Sequence, residues 1–417
     1  MLLWVIRLRI VGRMSYMRFV LSHPRILAFG VLLTLFSSFG QTFLISIFVP
    51  RMIDEMGLTT GGFGALYSIA TILSASCLPF FGRILDRVSV RSYTIGVAFA
   101  LMLACGMVSI SVNAPMLFVG IVGLRLAGQG LLGLTASTTM ARCFPENKGK
   151  ALSVSAVGYP LGEGLLPMLA VLMIASYGWR VSWQIMGGLV AVLLLPLIVA
   201  LVRNLPNHEG GRSRSSGQRE NMSEVLRDPR FYQLLPGLLV VPFVLTGLFL
   251  YQLPLAEFKG WTDRAMAVGF IGFAAARLVS SILVGPLIDR VGSLRLIPMT
   301  LIPVMAGLVF LLKIDGEWGA TVFLVLMGAG QGPAGTISTS VWVDLYGIDA
   351  LGRIKSLVAM LGVFSTAFSP ILIGFMLQIG VGFEYLIPSF VAVNALAFGL
   401  SYWTSRRIIR AMRVSQV

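Results

Sequence analysis

Three ionisable side chains stand inside long apolar stretches of this sequence: Arg125, Glu163 and Arg277. An Arg or Asp at the centre of a membrane-spanning helix costs about 2.5–3.5 kcal/mol on insertion scales, so such residues persist where they pair, titrate or meet a ligand. A buried guanidinium offers two-pronged recognition of a carboxylate. A buried carboxylate can take up and release a proton. The chemistry on offer is ion pairing, anion binding and proton carriage. No His/Asp cluster, nucleophile motif or ATP-binding loop accompanies the three, so neither an enzyme nor a cofactor is expected. The histidines His23 and His208 and the scattered Cys77, Cys105 and Cys143 supply no metal site and no disulfide framework.

Helices must carry these groups, because 57% of the 417 residues are apolar and only 12% are charged. Soluble domains hold roughly twice that charge fraction. A span needs about 20 apolar residues. Such runs lie near 26–50, 60–81, 92–112, 115–140, 151–176 and 181–202, then 232–255, 264–286, 294–313, 318–341, 356–379 and 384–404. The expectation is an all-α integral membrane protein of twelve spans. A polar, Gly- and Ser-rich stretch at 203–231 reads as a linker between six-helix halves at 26–202 and 232–404, with end segments 1–25 and 405–417. Arginines interrupt segment 1–25, so it is neither a span nor an ordinary signal peptide. A basic helix lying on the membrane and a true start at Met14 or Met17 both stay open.

The net charge of +15 resides in the gaps between the apolar runs. With the N-terminus inside, 25 of the 32 Lys and Arg fall on the inner side and five on the outer. That bias predicts two cytoplasmic termini in a multi-pass cell-membrane protein, with a prokaryotic cytoplasmic membrane the simplest setting. The partner of this charge is the lipid bilayer rather than nucleic acid, for no basic-aromatic module accompanies it. A monomer is expected.

The chain also repeats itself. GRILDRVSVR at 82–91 returns as GPLIDRVGSLR at 285–295, AGQGLLGLTAST at 127–138 as AGQGPAGTISTS at 329–340, and Pro167 as Pro370. An offset of about 203 spans six helices, so both copies face the same way and the halves form a parallel repeat, with a solute path between them.

The loop pattern G-x-x-x-D-R-x-G-x-R/K, present twice at half-chain spacing, resembles the signature of the major facilitator superfamily. The second copy holds Gly285, Asp289, Arg290, Gly292 and Arg295; the first keeps Gly82, Asp86, Arg87 and Arg91 but has Ser89 for the second glycine. The resemblance implies that these residues form a cytoplasmic gate. Asp86 would face the start of the eleventh span near Gly352–Lys355, and Asp289 the start of the fifth near Gly149–Ala151. Arg125, in R-x-x-G-Q-G, looks like the superfamily's fourth-helix arginine tied to proton coupling. Oxalate and monocarboxylate carriers of the superfamily also place an arginine in the eighth helix, one turn before the loop glycine, whereas Arg277 stands two turns before Gly285. GYPLGEGLLP at 158–167 is similar to the fifth-helix glycine motif of drug–proton antiporters, with Glu163 in place of its proline.

At 1.5 Å per residue, Arg125 lies about 15 Å into its span from one side and Glu163 about 18 Å from the other, so the two fall at similar depth. A pair between them is allowed, with Glu163 as the proton carrier whose protonation releases Arg125. Arg277 has no acid at helical spacing in its own span; its partner is then a substrate carboxylate, a carbonyl or Glu163. The resemblance adds Gln41, Tyr159, Tyr251, Gln252 and Gln331 as path-lining candidates. Two functions follow: a proton-coupled carrier of a small organic anion, or a proton antiporter exporting amphipathic drugs or metabolites.

Overall fold

The computed structural model describes residues 18–85, 87–144, 146–202 and 222–414. Among the described residues all regular structure is helical, and ten helices are long and apolar enough to cross a membrane. After a shorter apolar helix α1 (Pro24–Gly40) come α2 (Thr60–Leu85), α3 (Val90–Ile110), α4 (Ala114–Cys143) and α5 (Lys148–Leu201). They are followed by α6 (Pro229–Leu250), α7 (Asp263–Val291), α8 (Ser293–Lys313), α9 (Trp318–Gly347), α10 (Leu357–Gln378) and α11 (Phe383–Met412). Most of the expected linker, the first 17 residues and Asp86 lie outside the described residues.

Two sequence expectations need redrawing. The run 26–50 is not one continuous span: the helix stops at Gly40, Gln41 is extended (φ −84°, ψ 149°), and short helices resume at Thr42–Ile45 and Val49–Met56. The runs 151–176 and 181–202 are two helices that follow one another within α5 across a kink at the non-helical Gly178 (φ 76°, ψ 167°), so here only the expected connection is shorter. A positive φ is nearly free only for glycine, so that one residue turns the chain without a loop.

The same turns recur 203 or 202 residues later. Gly57 and Gly260 take φ 61° and 66°; Gly178 and Gly380 take 76° and 87°. Thr262 caps α7 by accepting from the Ala265 amide at 3.1 Å, and Thr59 likewise accepts from the Gly62 amide at 3.0 Å. Each hydroxyl satisfies one of the donors that a helix start leaves unpaired.

The gate loops diverge. Gly292 stands at φ 88° directly between α7 and α8. Ser89 instead takes φ −62°, ψ 141° and caps α3, accepting from the Ser92 amide at 3.1 Å. The sequence difference is a difference of turn: a cap replaces a positive-φ glycine.

Contacts between the halves gather away from the chain ends. At this distal end α2 packs on α10, where Gly64 and Gly374 leave a notch filled by the Tyr251 hydroxyl. That hydroxyl lies 3.0 Å from Thr60 O and 3.1 Å from Pro370 O. Thr59 Oγ1 donates to Gln378 Oε1 at 3.1 Å across the same seam. At the opposite, terminal end Arg87, Asp289 and Arg290 are exposed.

Candidate transport site

Where α5 meets α7, midway along the bundle, small residues permit the approach. A Cβ on Gly164 would lie 3.5 Å from the Ala274 Cβ, ordinary contact distance. One residue before Gly164 and one turn after Ala274, Glu163 and Arg277 face each other. Arg277 Nη1 donates to Glu163 Oε1, an ion pair linking the two halves. The Glu163 side chain is only 9% exposed, whereas Arg277 keeps 28%. Glu163 Oε2 is buried without a hydrogen-bond partner. The guanidinium therefore keeps part of its surface uncovered, and the carboxylate keeps one oxygen unpaired.

The backbone beneath Arg277 is clamped. Its carbonyl lies 3.1 Å from Ser280 Oγ and 2.7 Å from Ser281 Oγ, and Ser281 Oγ is also 2.9 Å from Gly332 O on α9. A Cβ on Gly332 would come within 2.4 Å of the Arg277 carbonyl. The second AGQG segment thus presses α9 against α7 at the arginine. Tyr159, one turn before Glu163, lies within electrostatic reach of both ion-pair members. Its hydroxyl occupies space that a side chain at Gly133 would fill.

Arg125 is elsewhere. Its Nη1 donates to Gly40 O at 3.2 Å and lies 3.5 Å from Thr42 Oγ1, and the guanidinium sits 5.1 Å from the Tyr67 ring centroid. Thr42 Oγ1 and Tyr67 Oη are 2.7 Å apart. The cause lies in α1. Gly40 approaches α4 so closely that a Cβ there would fall 2.1 Å from Leu124 O. Ending the helix at Gly40 leaves its carbonyl without an amide partner, and Arg125 takes it. Arg125 stands in the π-helical stretch Leu124–Leu132, whose wider turn is common at functional positions. The Arg125–Glu163 pair allowed by depth is not formed: depth along a span says nothing of direction around it.

Tyr251 and Gln252 do not face open space. Tyr251 fills the notch described above, and Gln252 Nε2 donates to Phe43 O at 3.0 Å and Ser46 Oγ at 2.7 Å. Both lie in the distal seam. Gln41 sits at the α1 break, and Gln331 Oε1 is buried and unpartnered beside the α7–α9 crossing. Asp289 is exposed and makes no hydrogen bond with any described residue, so it is not docked on Gly149–Ala151. Asp86 and the side chain of Arg353 fall outside the described residues. Sequence reasoning passed over Thr42, Ser46, Thr60 and Tyr67; hydroxyls inside apolar runs were the available signal.

The family model of the Major Facilitator Superfamily matches residues 31–370. The chain belongs to that superfamily. That superfamily is one of membrane transporters rather than enzymes. Among curated relatives, the oxalate:formate antiporter of Oxalobacter formigenes is 24% identical over 240 residues, covering 55% of either chain. The multidrug resistance protein MdtG of Serratia proteamaculans is also 24% identical, over 69% of this chain and 72% of its own. The solved structure of a bacterial homologue of the human lysosomal transporter Spinster, inward-facing and occupied, superposes with a TM-score of 0.71 at 15% identity, over 94% of this chain and 97% of that one. The nucleoside transporter NupG gives 0.67 at 12% identity over 93% and 98%. These structures share the superfamily fold with this chain.

Proposed function

We propose that this member of the superfamily is a twelve-span secondary transporter, two parallel six-helix halves with cytoplasmic termini, that moves a small organic anion with a proton by alternating access. One observation carries the reading: the buried Arg277–Glu163 pair joins the halves with the arginine partly exposed and Glu163 Oε2 unpartnered. Glu163 acts as an internal counter-ion that holds the place of the substrate carboxylate. A proton on Glu163 weakens its hold on Arg277, and the guanidinium then turns to the incoming anion. Anion and proton bind together, because a bare guanidinium or a second carboxylate at this depth is costly. With the distal seam closed and Asp289 free at the terminal end, the conformation reads as open to the cytoplasm. The likeness to the oxalate:formate antiporter supports an anionic solute.

The test is thermal-shift screening of the purified protein against small carboxylates and lipophilic cations, followed by uptake into vesicles. Carboxylates should stabilise it, Arg277→Ala should abolish that stabilisation, and Glu163→Gln should abolish pH-driven accumulation while sparing counterflow. Stabilisation by cations alone, with Arg277→Ala transporting normally, would overturn the reading. That result would favour a drug–proton antiporter, the second reading, which rests on the longer match to MdtG.

A further inference from the structure

We propose that a groove between α8 and α11, on the outside of the bundle at its terminal end, binds an anionic phospholipid. The groove encloses about 530 Å³. Its mouth carries Arg295 at the first turn of α8 and Arg406 and Arg410 near the end of α11, and none of its lining residues is acidic. Below the arginines the walls become apolar through Met299, Ile302 and Phe398. Met299 is 49% exposed and Ile302 46%, so this wall lies open rather than packed in the core.

The partners of these groups point to a missing anion. Arg295 spends one N–H on Val291 O at 3.3 Å and makes no ion pair with a described residue. The Arg406 guanidinium stacks on Tyr402, 4.9 Å from its centroid, which leaves its edge N–H groups free. Ser405 lines the same groove, is 2% exposed, and its Oγ has no hydrogen-bond partner. Three cations and a spare hydroxyl over an apolar slot complement a phosphodiester with its acyl chain.

Length separates a lipid from a free anion. Ile302 lies seven residues beyond Arg295, about 10 Å along the helix. A small anion would cover the mouth and leave that wall bare; a lipid covers both. Basic pockets between helices at the cytoplasmic surface suit anionic headgroups. Arg295 belongs to the α7–α8 loop motif, so the bound phosphate would tether the start of α8 to the end of α11.

The experiment uses the full chain in mixed micelles titrated with phosphatidylglycerol, phosphatidylcholine or inorganic phosphate, read by native mass spectrometry and thermal shift. Arg295→Ala, Arg406→Ala and Arg410→Ala are measured singly and together. Arg407→Ala, whose guanidinium lies 5.4 Å from the Trp403 ring and does not line the groove, is the control. Retention of phosphatidylglycerol over phosphatidylcholine is expected, weakening about fivefold per arginine removed and unchanged in the control. No preference between the lipids, a preference untouched by the arginine variants, or equal stabilisation by inorganic phosphate would each overturn the proposal. The last would mark a free-anion site. The single variants keep the test decisive if the triple variant fails to fold.

Discussion

Gln252, just past the end of α6, reaches into the other half and donates to Ser46 Oγ at 2.7 Å, directly after the break in α1. The distal seam is therefore held in part by a side chain whose acceptors, Phe43 O and Ser46 Oγ, lie in the short segment that follows the interruption of the first helix. Removing the amide should favour the conformation in which the seam is open. Two neutral hydrogen bonds together contribute about 1–3 kcal/mol, so Gln252→Ala should raise the open population roughly 5- to 160-fold. Labelling of a Gln378→Cys reporter by an impermeant maleimide from the distal side measures this. Unchanged labelling would mean that the seam does not rest on Gln252.

Arg125 is bound to a carbonyl and a hydroxyl rather than to an acid. Arg125→Met leaves Gly40 O unsatisfied, at a cost of about 1–3 kcal/mol. The Tm of the purified variant should fall, with Thr42→Val losing less. If Arg125→Met keeps the wild-type Tm but loses proton-driven accumulation, the residue works in coupling instead of holding the break.

Gly128 and Gly40 cross with their backbones in contact: a Cβ on Gly128 would lie 2.7 Å from Gly40 N. Gly128→Ala should destabilise the protein by about 1–3 kcal/mol, the usual cost of overpacking. Gly96 in the middle of α3 has nothing within 4 Å of a Cβ. Gly96→Ala should be neutral or stabilising by up to about 1 kcal/mol, since alanine is the better helix former. Paired thermal melts would reveal whether the two glycines differ in this way.

Glu55, at the distal end of the broken first helix, accepts from Trp179 Nε1 at 2.5 Å and from Arg180 Nε at 2.9 Å. The Trp179 hydrogen bond first, then the Arg180 contacts, hold its carboxyl below the ordinary value of 4.5. A depressed folded-state pKa gives stability that is present above the unfolded value and lost as pH falls through the folded one. The Tm difference between native protein and Glu55→Gln should therefore be steady above about pH 5 and shrink under more acid conditions. A difference that grows on acidification would show that Glu55 is not stabilised as the anion.

Apolar run length made the membrane-spanning helices legible, and the repeated loops made the superfamily legible. Both are statements about local composition and spacing. The sequence also named Arg125, Glu163 and Arg277 and left Glu163 open as a partner of either arginine; it did not choose between them. Pairing depends on the direction each side chain points around its helix, which small residues such as Gly164 and Gly332 decide by setting how helices meet. The break at Gly40 was hidden for a related reason. Gly40 is visible in the first run, but its close approach to the Leu124–Gln129 backbone, 84 or more residues away, is not. Tyr251 and Gln252 were picked as polar residues on a path-lining helix; whether such a residue faces a cavity or a seam depends on which end of the molecule is closed.

The two gate loops carry one motif on different backbones, a positive-φ Gly292 and an extended, capping Ser89. Their exchange is therefore one-way. Glycine at 89 gives up a cap and is otherwise permitted, but serine at 292 must adopt a positive-φ extended conformation (φ 88°, ψ 146°) that costs a side-chain-bearing residue about 1–3 kcal/mol. A substitution at 89 is thus a matter of capping alone, whereas one at 292 is a matter of backbone strain.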